Sequence, residues 1–391
     1  MTLPRTSATF ASPVMEASRW LDGVDFSARP LINVSQAAPV DPPPLVMREE
    51  MARMVVEDNE SHLYGPVLGL PALRAQVAQD WSAAYNGSIN AENVGITSGC
   101  NQAFAAAISV LCGEGDEIIQ PTPYYFNHRM WLDMFGVNMV PLAPTQGLIP
   151  DVEDAKSRIT DRTRAIVLVT PNNPGGVEYP AETVRAFADL ARSHKIALII
   201  DETYRDFDSR IGAPHDLFQD PDWHDTLIQL YSFSKAYRLT GHRVGAIVTS
   251  EERLAEAEKF LDTVTICPNQ LGQRAALWGM QNLSDWVADE RSELMNRRAA
   301  IHEQLPRLAS LGWELDGCGA YFAYMKHPFD IPSDELARRL VHDASILTLP
   351  GTMFMPDGGG KQHLRIAFAN SNCDGITELF DRLVTFTTTH L

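Results

Sequence analysis

The residues best able to do chemistry in this sequence lie in Ser232-Phe233-Ser234-Lys235-Ala236-Tyr237-Arg238-Leu239-Thr240-Gly241-His242-Arg243-Val244-Gly245. Lys235 follows an apolar run that reads as a buried strand. Its amine therefore sits at the strand's carboxyl end, where open α/β sheets bind ligands. Such an amine attacks an aldehyde once burial or neighbouring cations lower its pKa, which makes Lys235 a candidate Schiff-base lysine. Arg243, eight residues on, can fork onto a phosphate, and Ser232 and Ser234 offer hydroxyl donors to the same anion. A lysine after a strand is, alone, more often a plain surface residue. The serines, the arginine and the two glycines around it favour the chemical reading.

Further segments end the same way, with polar residues after an apolar run. In Ala197-Leu198-Ile199-Ile200-Asp201-Glu202-Thr203-Tyr204, an Asp at a strand end usually caps a helix or binds a metal. Beside the lysine motif, Asp201 reads instead as a buried carboxylate that keeps a pyridine nitrogen protonated. Tyr204 could then donate to a phenolic oxygen on the same ring. Thr170-Pro171-Asn172-Asn173-Pro174-Gly175-Gly176 is turn chemistry by composition, and in the functional reading Asn173 is a second phenolic donor. Thr97-Ser98-Gly99-Cys100-Asn101-Gln102 leads a strand into an alanine-rich helix, so Gly99, Cys100 and Asn101 form a phosphate seat of free N–H groups. Pro121-Thr122-Pro123-Tyr124-Tyr125-Phe126-Asn127-His128 brings aromatics to another strand end, where a ring could stack on the pyridine face; an aromatic cluster alone is more often core.

The elements that must position these groups follow from the pattern. Between Asn93 and Ser250, apolar β-branched runs alternate with segments of helical period, which is the signature of parallel strands joined by crossover helices. The predicted strands are Val94–Ser98, Glu117–Pro121, Ala165–Thr170, Ala197–Asp201, Leu227–Phe233 and Val244–Thr249, with a helix at Ala181–His194. Pro42-Pro43-Pro44 reads as a stiff connector, and Trp286 to Leu305 as a long amphipathic helix stopped by Pro306. Strands return at Tyr321–Met325 and His363–Phe368. The expected architecture is α/β: a large domain over residues 46–285 with a mostly parallel sheet sandwiched by helices, and a small α/β domain built from residues 1–45 and 286–391. Gly358-Gly359-Gly360-Lys361 reads as a loop tip, and no GxxxxGK[ST] motif is present.

Composition narrows the function. With 391 residues the chain can build two cores. A formal net charge of -18 disfavours nucleic acid and anionic membrane surfaces, so an anionic ligand needs a local basic site. No apolar run reaches the roughly 20 residues of a membrane helix. The five cysteines lack paired spacing, which suggests neither a disulfide framework nor a metal site and fits a cytoplasmic protein.

Taken in order, these motifs resemble those of the class I/II aminotransferases, the fold type I pyridoxal-phosphate enzymes, from Asn33 to Phe368. The resemblance implies pyridoxal 5'-phosphate as cofactor. It makes Lys235 the Schiff-base lysine and general base, Asp201 the pyridinium partner, Tyr204 and Asn173 the phenolate donors, and Tyr125 the stacking ring. Ser232, Ser234, Arg243 and the amides at Gly99, Cys100 and Asn101 become the phosphate site, and His128 the support of the aspartate. Arg365, in His363-Leu364-Arg365-Ile366-Ala367-Phe368, matches the arginine that clamps the substrate α-carboxylate, with Asn173 and Ala37 beside it. Tyr64, in Tyr64-Gly65-Pro66, resembles the tyrosine sent into a neighbouring subunit's phosphate site, which implies a homodimer with shared active sites. Two departures stand out: Ala37 replaces a common glycine, and Gly175 replaces a threonine, which is expected to loosen the Asn-Pro turn. The implied reaction moves an amino group between an L-amino acid and a 2-oxo acid. A C–S β-lyase of the same fold is the alternative, since fold does not dictate reaction; a non-catalytic regulatory binder is disfavoured because every chemical residue is present.

Overall fold

The computed structural model describes residues 4–391. In chain order its strands are β1 (Ile32–Asn33), β2 (Val94–Thr97), β3 (Glu117–Pro121), β4 (Asn138–Leu142), β5 (Thr163–Val169), β6 (Ala197–Asp201), β7 (Leu227–Ser232), β8 (Gly245–Val248), β9 (Glu314–Gly319), β10 (Phe322–Lys326), β11 (Ile346–Leu347), β12 (Leu349–Pro350) and β13 (His363–Ile366). Continuous apolar runs such as Ala165-Ile166-Val167-Leu168-Val169 have no solvent face, so they need cover on both sides. They find it in a seven-stranded sheet of order β2-β8-β7-β6-β5-β3-β4. Strand β8 runs antiparallel to both its neighbours, and the other pairings are parallel.

Neighbouring residues on one strand feed opposite layers because strand side chains alternate. Ile118 joins Phe104, Ala107 and Leu132, from helices Cys100–Leu111 and Phe126–Phe135. Ile119 joins Trp81, Phe187 and Ala275, from helices Pro71–Tyr85, Ala181–His194 and Gln270–Asn282. Each such fully buried Ile contributes about 1.5–3 kcal/mol of transfer free energy. A second sheet, β12-β13-β10-β9, is antiparallel and packs with helices Ser284–Ala309 and Cys373–His390 through Ile301, Leu308, Phe322, Leu364, Leu379 and Phe380. Strand β1 pairs in parallel with β11, and Ala367 N donates to Val34 O at 2.8 Å, which stitches the early chain to the late one.

The predicted bounds of β3, β6 and the helix Ala181–His194 are those observed, and the bounds of the other predicted strands differ by one or two residues. Strand β4 escaped the sequence reading. It lies at the sheet's edge, is only partly buried and contains Pro141, which weakens both its pattern and its ladder. The long helix does not stop at Pro306 but continues to Ala309 with the proline inside it. Leu308, two turns beyond Ile301 and one beyond Leu305 on the same face, is fully buried, and that packing offsets the roughly 3 kcal/mol that an internal proline costs. Among the described residues no helix is long and apolar enough to cross a membrane.

Candidate active site

Five strand ends meet at the same edge of the large sheet. Beyond the carboxyl ends of β2, β3, β5, β6 and β7 lies a cavity of about 490 Å³. Cys100, Asn101, Tyr125, Asn173, Asp201, Tyr204, Ser232, Ser234, Lys235, Arg243, Arg365 and Ala37 all line it. Predicted residues up to 328 positions apart in sequence, Ala37 and Arg365, are therefore brought to one space.

Lys235 sits on the one-turn helix Phe233–Ala236, which Ser232 caps by accepting from Ser234 N. The short element holds the lysine half-buried at the cavity wall, with its Nζ donating to the Ala37 carbonyl. Burial, followed by the Arg365 and Arg243 charges, pushes its pKa down to about 8, so a neutral amine is accessible near neutrality. Ala37 thus meets the site through its backbone oxygen.

Asp201 closes β6 and is buried. Burial pushes its pKa up, but His128 and the Thr203 contacts more than offset this and hold the carboxyl below its usual value. His128 Nε2 lies 3.2 Å from Asp201 Oδ2, and Thr203 N donates to Oδ1 at 3.0 Å. The imidazole is fixed from its other side by stacking on Phe104 at 3.8 Å. Tyr204 packs its ring on Tyr321 and Phe322, and burial raises its pKa, which keeps the phenol protonated and able to donate. Tyr125 accepts from Asn127 Nδ2 at 2.8 Å and donates to Asn101 Oδ1 at 3.4 Å.

The seat at Gly99 is shaped by a missing side chain. Gly99 has φ +86°, and a Cβ there would lie 2.2 Å from Arg243 Nη2. The arginine's guanidinium therefore fills the space that any other residue would take. It bonds the Thr240 carbonyl at 3.0 Å and Ser234 Oγ at 3.4 Å. The first amides of the helix, at Cys100 and Asn101, have no intrahelical acceptor. These groups make a donor-rich cradle suited to a phosphate dianion.

Arg365, on β13, is only 2% exposed. Its Nη1 donates to Asn173 Oδ1 at 2.9 Å and its Nη2 to the Ser35 carbonyl, while Nε is buried without a partner. Burial pushes its pKa down to about 10, and the groups that counter this are tyrosines, not carboxylates. Among the described residues this buried cation has no anionic partner, which suits it to hold an anion that enters the cavity.

The expected loosening at Gly175 is not found. Gly175 N donates to Asn172 Oδ1 at 2.8 Å, Gly176 N to Asn172 O at 2.7 Å, and Asn172 Nδ2 to Tyr179 OH at 3.2 Å. A Cβ on Gly175 would lie 2.7 Å from Leu148 Cδ1, so the glycine tightens the turn by letting Leu148 close over it. Tyr64 stands apart: it is 79% exposed and does not line this chain's cavity.

Sequence reasoning missed Ser12, Val14, Met15 and Ser18, which line the cavity from helix Pro13–Arg19 and the residue that precedes it. Pro13 after Ser12 signals a helix start, but nothing local signals where that helix docks. Thr203, which completes the Asp201 cage, was also missed.

A sheet of this order with its site at these strand ends defines a fold type I enzyme. The sequence profile of the family described as "Aminotransferase class I and II" matches residues 29–383. The chain belongs to that family, and it is an aminotransferase, an enzyme that moves an amino group between an amino acid and a 2-oxo acid. It is 30% identical to a probable aspartate/prephenate aminotransferase of Thermus aquaticus over 78% of this chain and 79% of that one. It is 29% identical to an aromatic aminotransferase of Arabidopsis thaliana, over 82% of this chain and 80% of that protein. Among solved structures, a mutant aspartate aminotransferase of Thermus thermophilus superposes with a TM-score of 0.87 at 25% identity, covering 98% of this chain and 99% of that one. These likenesses favour transamination over the lyase alternative.

Proposed function

We propose that this aminotransferase works with pyridoxal 5'-phosphate carried by Lys235, and that a second copy of the chain completes each site. The observation that supports this most is the meeting, on one cavity, of a lysine with a pKa lowered to about 8, a buried Asp201 carboxylate and a buried Arg365 without an anionic partner among the described residues. The Gly99 cradle provides the test of fit: its donors suit the cofactor's phosphate, and the absent Cβ at residue 99 leaves room for the Arg243 guanidinium to join them.

Bound there, the cofactor would supply an aldehyde to take the amino group and a ring to accept electrons from the substrate's α-carbon. Arg243, Ser232, Ser234 and the amides of Cys100 and Asn101 would hold the phosphate, and Tyr125 would cover one face of the ring. Asp201, oriented by His128 and Thr203, would keep the ring nitrogen protonated, while Tyr204 and Asn173 would donate to the phenolic oxygen. Lys235 Nζ, released from the Ala37 carbonyl, would take the proton from the substrate's α-carbon and deliver it to the carbon of the cofactor's aldehyde, which leaves the nitrogen on the cofactor and frees the 2-oxo acid. Arg365 would grip the α-carboxylate, with Asn173 holding the guanidinium in plane.

Tyr64 would reach the phosphate seat of the second copy. In support, Gly65 N donates to Cys267 Sγ at 3.4 Å, which sets exposed Tyr64 and Leu63 near exposed Val264 and Ile266, an apolar surface suited to a like surface. We further read residues 46–285 as the cofactor domain and 1–45 with 286–391 as the small domain, supported by the β1–β11 pairing. Unpaired cysteines support a cytoplasmic location.

The loaded enzyme, mixed with a good amino donor and no 2-oxo acid, is expected to release one equivalent of new 2-oxo acid per site and then stall. Continued release of ammonia and pyruvate from a β-substituted amino acid would instead establish the lyase. Arg365→Leu is expected to raise KM for amino acids and 2-oxo acids alike by about 10- to 150-fold, the equivalent of one charge-assisted hydrogen bond at about 1.5–3 kcal/mol. Unchanged KM for both substrate classes would mean that another group holds the carboxylate.

A further inference from the structure

Resting on the cofactor reading above, we infer that Glu202 and Asp206 are positioning residues for this reaction: from the face of the sheet opposite the cavity they bind Gln229 and Tyr231 of β7, and so hold Asp201 and Tyr204 at a fixed offset from Lys235. The segment that needs holding is the exit of β6. Its last ladder bond runs from Glu202 N to Leu230 O at 2.9 Å. Beyond it the chain turns through the one-turn helix Arg205–Phe207, whose bonds, Arg205 N to Glu202 O at 3.0 Å and Phe207 N to Tyr204 O at 2.9 Å, stay within the segment. Asp201 and Tyr204 line the cavity from this exit, while Lys235 lines it from beyond the end of β7. Among the described residues, no main-chain bond past Glu202 ties Tyr204 to the strand that leads to Lys235.

Side chains do so instead. Strand residues alternate in facing, so Asp201 turns toward the cavity and Glu202 toward the other layer, where it is fully buried. Its Oε2 accepts from Gln229 Nε2 at 2.6 Å and from Tyr85 OH at 2.6 Å, and His215 Nε2 lies 3.5 Å away. Gln229 is itself fixed, since its Oε1 accepts from Trp81 Nε1 at 2.8 Å. Two residues further along the same face of β7, Tyr231 OH donates to Asp206 Oδ2 at 2.7 Å, and edge-on contacts with Trp81 and Phe233 hold its ring. Burial pushes the Glu202 pKa up, but His215, Arg205 and the Tyr85 hydroxyl more than offset this and hold it at about 2, so the carboxylate remains an acceptor. Glu202, Gln229 and Tyr231 are each at most 1% exposed, so these bonds belong to one chain whatever covers its surface. They clamp the β6 exit to β7 on both sides of Tyr204, and a misplacement of about 1 Å can cost on the order of 100-fold in rate.

The test compares Glu202→Met, Glu202→Gln, Tyr231→Phe and, as a control for stability alone, Phe187→Leu, a fully buried change in the same core layer. Glu202→Met and Tyr231→Phe are expected to lower kcat by about tenfold or more and to leave KM for both substrates within about threefold, because Arg365 is held from β13. In the same variants the pH at which the loaded enzyme's visible absorption changes should move by about half a unit or more, since the groups that serve the cofactor ring have shifted. Glu202→Gln, whose amide oxygen can take both bonds, should restore kcat to within about threefold of the unaltered enzyme. Phe187→Leu should lower the thermal midpoint and leave kcat and absorption as they are. Lower midpoints with unchanged kcat and absorption in Glu202→Met and Tyr231→Phe overturn the inference, because the bonds then serve fold stability alone. If Glu202→Met does not fold, Tyr231→Phe, which loses one hydroxyl and keeps its ring packing, decides. Hydrogen exchange of the cofactor-free protein separates this inference from the reading beneath it. Exchange in amides 202–208 that is faster by about fivefold or more in Tyr231→Phe, with β3 and β5 unchanged, supports the clamp even if the protein takes up no pyridoxal phosphate, a result that would count against the proposed function; equal exchange overturns the clamp.

Discussion

Lys235→Ala is expected to reduce turnover by roughly 10,000-fold or more, since it removes both the covalent attachment and the group that moves the α-proton, and general acid–base catalysis alone contributes about 100- to 10,000-fold. The position is suited to that double role. The amine follows the buried strand β7, its pKa is lowered to about 8 by burial and two arginines, and its hydrogen-bond partner among the described residues is the Ala37 carbonyl, which a substrate can displace. The phosphate cradle at Gly99 and Arg243 does not include the lysine, so equilibrium dialysis should still detect cofactor bound to the variant. Near-normal steady-state rates in Lys235→Ala would remove the lysine from the mechanism.

Replacement of Asp201 has the second largest expected effect, and the choice of substitute matters. The carboxylate has partners within the protein, His128 at 3.2 Å and Thr203 N at 3.0 Å, so Asp201→Ala strands a buried imidazole and amide and should destabilise the fold by about 1–3 kcal/mol. Asp201→Asn keeps the shape and removes only the charge. It is expected to lower kcat by roughly 100- to 1,000-fold, the range lost when one preorganised electrostatic partner is taken from a site, with a thermal midpoint close to that of the unaltered protein. Equal rates for Asp201→Asn and the unaltered enzyme would reduce Asp201 to a structural cap.

The parts of the site that could be read along the chain share one property. Gly99, Tyr125, Asn173, Asp201 and Lys235 each follow a short apolar run at a parallel strand's carboxyl end, so strand pattern and turn chemistry together point at them. The same logic failed where the pattern was weak or where packing overrode it. Strand β4 is a half-buried edge strand, and the helix through Pro306 is held by the burial of Leu308, which no count of local propensity includes. At Gly175 the expectation failed for a tertiary reason: Leu148, distant in sequence, occupies the space the missing side chain leaves.

The sequence by itself determined that this chain builds a buried, mostly parallel sheet, and that a lysine, an aspartate, an asparagine and a tyrosine stand at its strand ends, because alternation and turn residues act within a few positions of each other. Only the tertiary structure decided that Arg365 on β13 bonds Asn173, that the Ala37 carbonyl meets Lys235, and that helix Pro13–Arg19 lines the cavity. These meetings depend on β1 pairing with β11 and on Ala17 docking into a distant core. Such contacts are set by the burial of surfaces far apart in the chain, and no local period encodes them.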